Sequence, residues 1–177
     1  RRFDDLLPDP SPEGRAVLLE RARARLAALE KISCDELSAA SRTNWSLLRY
    51  ELTRQIEREP FAEWQMPISQ VEGPQHGLPQ MPDQISFTTR EQVEKYLARL
   101  RRVPEFVDRT IANMREGVKA GRVPPRVVMG GAVDQCLAHG DARFERQPES
   151  HAMYRPFAGR WPDLAAQGRE AIARDVT

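Results

Sequence analysis

Lysine is scarce in this sequence, limited to Lys31, Lys95 and Lys119, and arginine supplies the rest of the positive charge. With 27 basic and 26 acidic residues the formal net charge is +1. That balance gives no overall field to draw in nucleic acid or an anionic membrane, so neither is an expected partner. The two cysteines, Cys34 and Cys136, form no CxxC and are too few for a zinc framework. They read as small buried or half-buried hydrophobes, with pairing in an oxidising compartment left open. No apolar run approaches the length of a membrane span. The three histidines, His76, His139 and His151, include no pair at helical ligand spacing. H-E-x-x-H, G-x-S-x-G, a Walker loop and a dinucleotide fingerprint are all missing. No signal peptide is visible, and the first residues are "RRFDDLLPDP" without methionine, which reads as a processed product or a piece of a longer chain. Localisation stays open on this basis.

What is present is enough for a folded core. The chain has 177 residues, 40% hydrophobic and 30% charged, the profile of a globular protein. Its periodicity is helical. In "DPSPEGRAVLLERARARLAALEK", Ser11 is placed to cap a helix and Pro12 to open it. Leu18, Leu19, Ala22, Leu26 and Leu29 give that helix one apolar stripe. A second helix is expected from the capping-box spacing of Ser33 and Glu36, with Trp45, Leu48, Leu52 and Ile56 as its stripe. The short link between the two predicts antiparallel neighbours. A third begins at Thr89 and Gln92, again at capping-box spacing. Its apolar positions run from Val93 through Tyr96, Leu97, Leu100, Val103, Val107, Ile111 and Met114 to Val118. Pro104 predicts a bend or restart within it, with the same face buried on both sides. Gly121 is placed as its C-terminal cap. A further helix is expected from Pro124 or Pro125, weakened by Gly130 and Gly131. "SHAMYRPFAGRW" reads as loop or extended chain, followed by a last helix near Pro162. There Leu164, Gly168, Ile172 and Val176 repeat at every fourth position, and no terminating residue follows. The sequence therefore reads as one all-α domain over residues 1–177. An exposed stripe on the last helix predicts self-association or fraying.

Between the helices lies "MPISQVEGPQHGLPQMPDQ", residues 66–84, inside an irregular stretch from about Pro60 to Ser86. Its prolines forbid a continuous helix. Yet Met66, Ile68, Val71, Leu78 and Met81 are too many apolar residues for a solvated linker. Long irregular segments inside compact domains are commonly functional. The segment is expected to be ordered, with Trp64, Met66, Ile68 and Val71 largely buried.

Candidate chemistry is sparse. Cys136, His139 and Asp141 lie close in sequence, but as helix-end residues they read as caps or solvated groups rather than metal ligands. Asp4 and Asp5 read as solvated, and Glu72 as either a cleft residue or an exposed loop acid. Gln70, Gly73, His76 and Tyr154 are the candidate substrate contacts. No catalytic residue and no metal ligand is assigned.

The order of the pieces carries a resemblance. "LLPDPSPEG" is followed by a helix pair ending "LLRYELTRQIE", then "FAEWQMPISQVEGPQHGLPQM", then "FTTREQVEKYLARLRRVPEFVDRTIANMREGVKAGRVPPRVVM", then "YRPFAG". With the W-x-x-P-x-x-Q-x-x-G pattern of Trp64, Pro67, Gln70 and Gly73, this resembles the N-terminal part of the bacterial domain-of-unknown-function family 885. The resemblance covers nearly the whole chain. It implies a longer, mainly helical parent, often exported, periplasmic or lipid-anchored, and similar to zinc peptidases. It also implies that an H-E-x-x-x-G-H-type metal motif lies downstream of the matched region. On that reading zinc belongs to the complete parent and not to this chain. The proline-set segment would then line one wall of a cleft for a peptide-like substrate, opposite a C-terminal region absent here. The alternative is a non-catalytic helical module that binds a partner through an apolar groove.

Overall fold

The computed structural model describes residues 5–158 and 161–175. Every regular element among them is helical, so the chain is all-α. It divides into two compact units: Asp9–Trp64, and Gln65–Thr177 together with Arg1–Pro8.

The first unit is a helical hairpin. Helix α1 (Pro12–Leu29) starts where expected, with the Ser11 hydroxyl accepting from the Gly14 amide at 3.0 Å and proline in its first turn. Helix α2 (Ala39–Arg58) starts later than the Ser33–Glu36 spacing suggested. Ser33 heads only a 3-10 turn, Cys34–Glu36, and its side chain caps nothing. Leu37 is extended, and Ser38 is the working N-cap, accepting from the Ser41 amide at 3.3 Å. The helices run antiparallel. Trp45, near the start of α2, donates its indole N–H to the Leu29 carbonyl at 3.0 Å, and Arg49 pairs with Glu30. At the other end Arg15 approaches Glu59 at 3.9 Å, and its guanidinium lies 3.5 Å from the centre of the Trp64 ring.

Ala22, Leu29 and Leu52 are buried between the helices, with Leu26, Trp45 and Ile56 packed against them. Leu18 and Leu48, assigned to the stripes from sequence, are largely exposed. Two helices in contact cover only one seam each, and these leucines sit off it. Trp45→Phe keeps most of the ring but removes one of two donors to the Leu29 carbonyl, which also accepts from the Ile32 amide at 3.0 Å. It is expected to lower stability by about 1 kcal/mol, measured by denaturant unfolding with helicity as the signal.

The second unit holds the larger core. Its first helical turn of α type is the short α3 (Pro74–Gly77). Helix α4 (Arg90–Leu100) carries the expected capping box, with Thr89 and Gln92 each satisfying the other's backbone N–H. The helix stops at Leu100 and α5 (Val103–Lys119) restarts three residues later, with Pro104 in its first turn, where no intrahelical donor is lost. The restart resets the helical phase. Val103 is buried, but the rest of the buried line on α5 is Thr110, Asn113 and Gly117, while Ile111 and Val118 face outward. The sequence-based stripe was thus right for α4 and misplaced for much of α5. Gly121, at a φ of 70°, follows the end of α5 as expected.

The helix expected from Pro124 or Pro125 is instead a 3-10 turn, Arg126–Met129, then Gly130, then Gly131 at a φ of 78°. Only after this glycine pair does α6 (Ala132–His139) begin. A single turn, α7 (Arg143–Arg146), follows. The "MYRPF" stretch, read from sequence as loop or extended, is a 3-10 helix, Ala152–Phe157. The last described element is α8 (Pro162–Asp175).

The core gathers Val93, Tyr96, Leu97 and Leu100 of α4 with Met153, Tyr154 and Phe157 of the 3-10 helix and Leu164, Ala171 and Ile172 of α8. Met81 and Ile85 from the end of the proline-rich segment join it. Leu164 and Ile172 are therefore covered within their own unit, which removes the packing reason for expecting self-association through them. Val176 lies outside the described residues.

Candidate functional site

The proline-rich segment is folded turn by turn. Met66, Pro67 and Ile68 are half-buried. Ser69–Glu72 closes a turn: the Ser69 amide donates to the Glu72 carbonyl at 2.8 Å, and the Ser69 hydroxyl accepts from the Glu72 amide at 3.0 Å. Gly73 follows at a φ of 141°, a region closed to other residues, and a Cβ there would sit 2.2 Å from Gln75 Oε1. Pro74 then opens α3.

Gln75 ties the turn down. It is 7% exposed, and its Nε2 donates to the Ser69 carbonyl at 2.7 Å and the Glu72 carbonyl at 3.2 Å. Gln135, from α6, reaches back to donate to the Gln70 carbonyl at 3.1 Å. The Gln70 amide donates to the Val128 carbonyl at 2.8 Å. His76 Nε2 also lies 3.1 Å from the Gln70 carbonyl. The path of the segment is thus set by side-chain amides that replace the backbone pairing its prolines forbid.

At the end of α6 lies His139. Its ring centre is 5.6 Å from that of His151, which stands edge-on to Phe144 at 4.6 Å. His151 is 3% exposed, and its Nδ1 accepts from the Met153 amide at 3.2 Å. Burial, reinforced by His139 and Arg143, holds His151 down at about 4. Burial lowers His139 as well, opposed in part by the Gln75 main chain, with a smaller lowering from His76. Two buried polar atoms, Gln75 Oε1 and His151 Nε2, have no hydrogen-bond partner.

These residues do not suit a catalytic zinc. Among the described residues no group of three or more His, Cys, Asp or Glu could hold a metal ion. The chemistry agrees, since His151 Nδ1 is committed to a backbone donor, which puts its proton on Nε2 and leaves no free lone pair.

Of the residues singled out from sequence, Gln70, Gly73 and His76 come together on this turn. The Gln70 side chain is exposed. Tyr154 lies elsewhere, buried in the core with its hydroxyl accepting from Arg169 Nη1 at 3.2 Å. Val71 is 72% exposed, not buried as its apolar character suggested. It sits at the outer corner of the Ser69–Glu72 turn, where a side chain has nothing to pack on. Glu72 is exposed too, and Asp5 is half-buried, while Asp4 lies outside the described residues. Cys34 is half-buried and Cys136 exposed, and both are free thiols. For Cys136 this corrects the expectation of burial. Asp141 accepts from the Arg143 amide at 2.8 Å in the turn just before α7, whose N-cap residue is Ala142. Sequence reasoning missed Gln75 and Gln135, and it missed that His139 and His151 meet. The local signal was the Gly73-Pro74 turn, which marks a bend but not the amide beneath it.

The fold and this site define an all-α protein whose proline-rich segment is held by side-chain amides. The chain belongs to the family described as "Bacterial protein of unknown function (DUF885)", whose model matches residues 1–177. No curated protein and no solved structure matches it. Among the described residues no helix is long and apolar enough to cross a membrane.

Proposed function

We propose that this chain is the N-terminal helical portion of a zinc-dependent peptidase-like hydrolase and supplies one wall of its substrate cleft. The reading is supported by the segment Met66–Gln75, whose main chain is fixed by Gln75 and Gln135 and not by regular secondary structure. A main chain fixed in this way can offer its groups to an extended peptide without an ordering cost at binding. The residues in hand do not fit the metal, so the metal and the base belong to another part of the parent. This chain's part is to position substrate. Gln70, whose side chain is exposed, and His76 are the groups proposed to meet a peptide-like substrate.

The test uses the protein of the complete reading frame and a set of unstructured peptides, with and without a chelator. Chelator-sensitive cleavage is expected, and Gln70→Ala should raise KM about tenfold with kcat little changed, the signature of lost ground-state binding. Residues 1–177 alone should neither cleave peptide nor retain stoichiometric zinc. Cleavage insensitive to chelator, or none at all, sinks the hydrolase reading. An unchanged KM for Gln70→Ala sinks the assignment of the wall.

A second reading, a non-catalytic interaction module, draws on Val133 and Leu137. They lie one turn apart on α6 and are 63% and 66% exposed. It is favoured if the complete protein cleaves nothing but Val133→Asp with Leu137→Asp abolishes binding to a partner.

A further inference from the structure

His151 is the N-cap of the 3-10 helix Ala152–Phe157, and it caps through an unusual acceptor, the imidazole Nδ1. A ring nitrogen that accepts a hydrogen bond carries no proton, so the neutral ring must hold its proton on Nε2. Adding a second proton puts an N–H on Nδ1, directly facing the Met153 N–H. The cap is then not weakened but reversed, with donor against donor.

The charged groups nearest the ring do not favour the resulting cation. From α6 the facing group is His139 and from α7 it is Arg143, both basic. The other elements packed on the 3-10 helix have charged groups engaged elsewhere or in solvent. Asp83, beside Met81 of the core, is paired with Arg155, and Arg169 of α8 donates to the Tyr154 hydroxyl. Glu149, in the turn Pro148–Ser150, is exposed. The Phe144 ring, nearly perpendicular to the imidazole and 4.6 Å from it, closes one further side.

What the cap holds is substantial. Met153, Tyr154 and Phe157 are all core residues, and the Met153 carbonyl accepts from the Tyr96 hydroxyl at 3.0 Å. We propose that His151 is a proton-operated latch, and that its protonation frees the 3-10 helix Ala152–Phe157 from its N-terminal anchor and opens the core of this unit in acid.

The sign follows from the direction of the shift. The folded state holds His151 at about 4, below the usual 6.5 of the unfolded chain, so the unfolded chain takes up the proton first. The stability given by the neutral ring is complete above about 6.5. It declines as pH falls through that window, and below about 4 the folded state itself takes the proton.

The experiment follows the His151 ring nitrogens and the Met153 amide by NMR in the whole chain between pH 7.5 and 3.5. Half-buried Trp161, which packs on the core, gives an independent near-ultraviolet signal. A neutral Nε2–H ring is expected at pH 7, with a midpoint near 4 at which the Met153 amide and the Trp161 signal change together. His151→Asn retains an oxygen acceptor for the cap but cannot titrate, and it should abolish that step. His139→Gln should raise the His151 midpoint toward 6.5. Titration of His151 near 6.5 with no change at Met153, or the same acid profile in wild type and His151→Asn, overturns the latch. Should His151→Asn fail to fold, coincidence of the ring titration with the Met153 amide in the wild type decides the matter alone.

Discussion

Tyr96→Ala is expected to destabilise the larger unit by about 3–5 kcal/mol, enough to lower its melting temperature by roughly 10 °C or more. Two losses combine at this residue. Its ring is fully buried and packs edge-on to Phe87 at 5.2 Å and tilted against Phe157 at 5.6 Å, so truncation opens a cavity lined by rings that cannot collapse into it. Its hydroxyl is also the donor to the Met153 carbonyl, and burial pushes the phenol well above its ordinary range, so that donor is kept at every working pH. Tyr96→Phe separates the terms. It keeps the packing and leaves one buried carbonyl unpaired, for an expected cost of about 1–3 kcal/mol. Thermal unfolding of both variants followed by near-ultraviolet dichroism checks the pair. Equal losses would mean that packing contributes little at this position.

Gly168→Ala is expected to be destabilising by about 1–3 kcal/mol, although propensity alone favours it. Glycine in the middle of a helix costs roughly 0.5–1 kcal/mol relative to alanine, and α8 would gain that much. Against the gain stands a clash, because a Cβ at Gly168 would lie 2.5 Å from two ring carbons of Phe157. That ring is held between Tyr96 and Tyr154 and has nowhere to retreat. Gly77→Ala is the matched control, since a Cβ there meets nothing within 4 Å. It should be neutral or stabilising by up to about 1 kcal/mol. Chemical denaturation of both variants measures the contrast, and stabilisation by Gly168→Ala would show that α8 does not press on Phe157.

These residues also mark what could be read from sequence. Features made by neighbours in the chain were legible: the Ser11 cap with Pro12, the Thr89–Gln92 box, the restart at Pro104 and the positive φ of Gly121. Each is decided within one or two turns. Local logic misled where two local signals competed, as when Ser33 offered box spacing but Ser38 held the cap. It also misled where a phase reset intervened, so that Ile111 and Val118 turned outward. The candidate site was legible only as a segment. That Gln70, Gly73 and His76 share a turn follows from their closeness in sequence. The amides of Gln75 and Gln135 are 60 residues apart, and the meeting of His139 with His151 depends on how α6 ends. No periodicity encodes such tertiary encounters. Gly168 read only as one position of a four-residue repeat, and the position of Phe157 is what explains it.

The two ends of the Gln65–Gln70 stretch are moored to different places. At one end a Cβ on Gly117 would come within 2.8 Å of Gln65, and Arg122 Nη1 donates to Gln65 Oε1 at 2.9 Å. At the other, the Val128 carbonyl holds the Gln70 amide. The chain between these moorings, Val123 to Arg126, is mostly exposed and carries neither of them. Extra residues inserted there would bulge into solvent and leave the stretch where it is, since lengthening a surface loop costs little. The same insertion a few residues earlier, inside α5, would rotate Gly117 away and unseat Gln65. Tolerance to length change should therefore switch sharply from forbidden to permitted on passing Arg122, a boundary drawn by what α5 grips and not by where the helix ends.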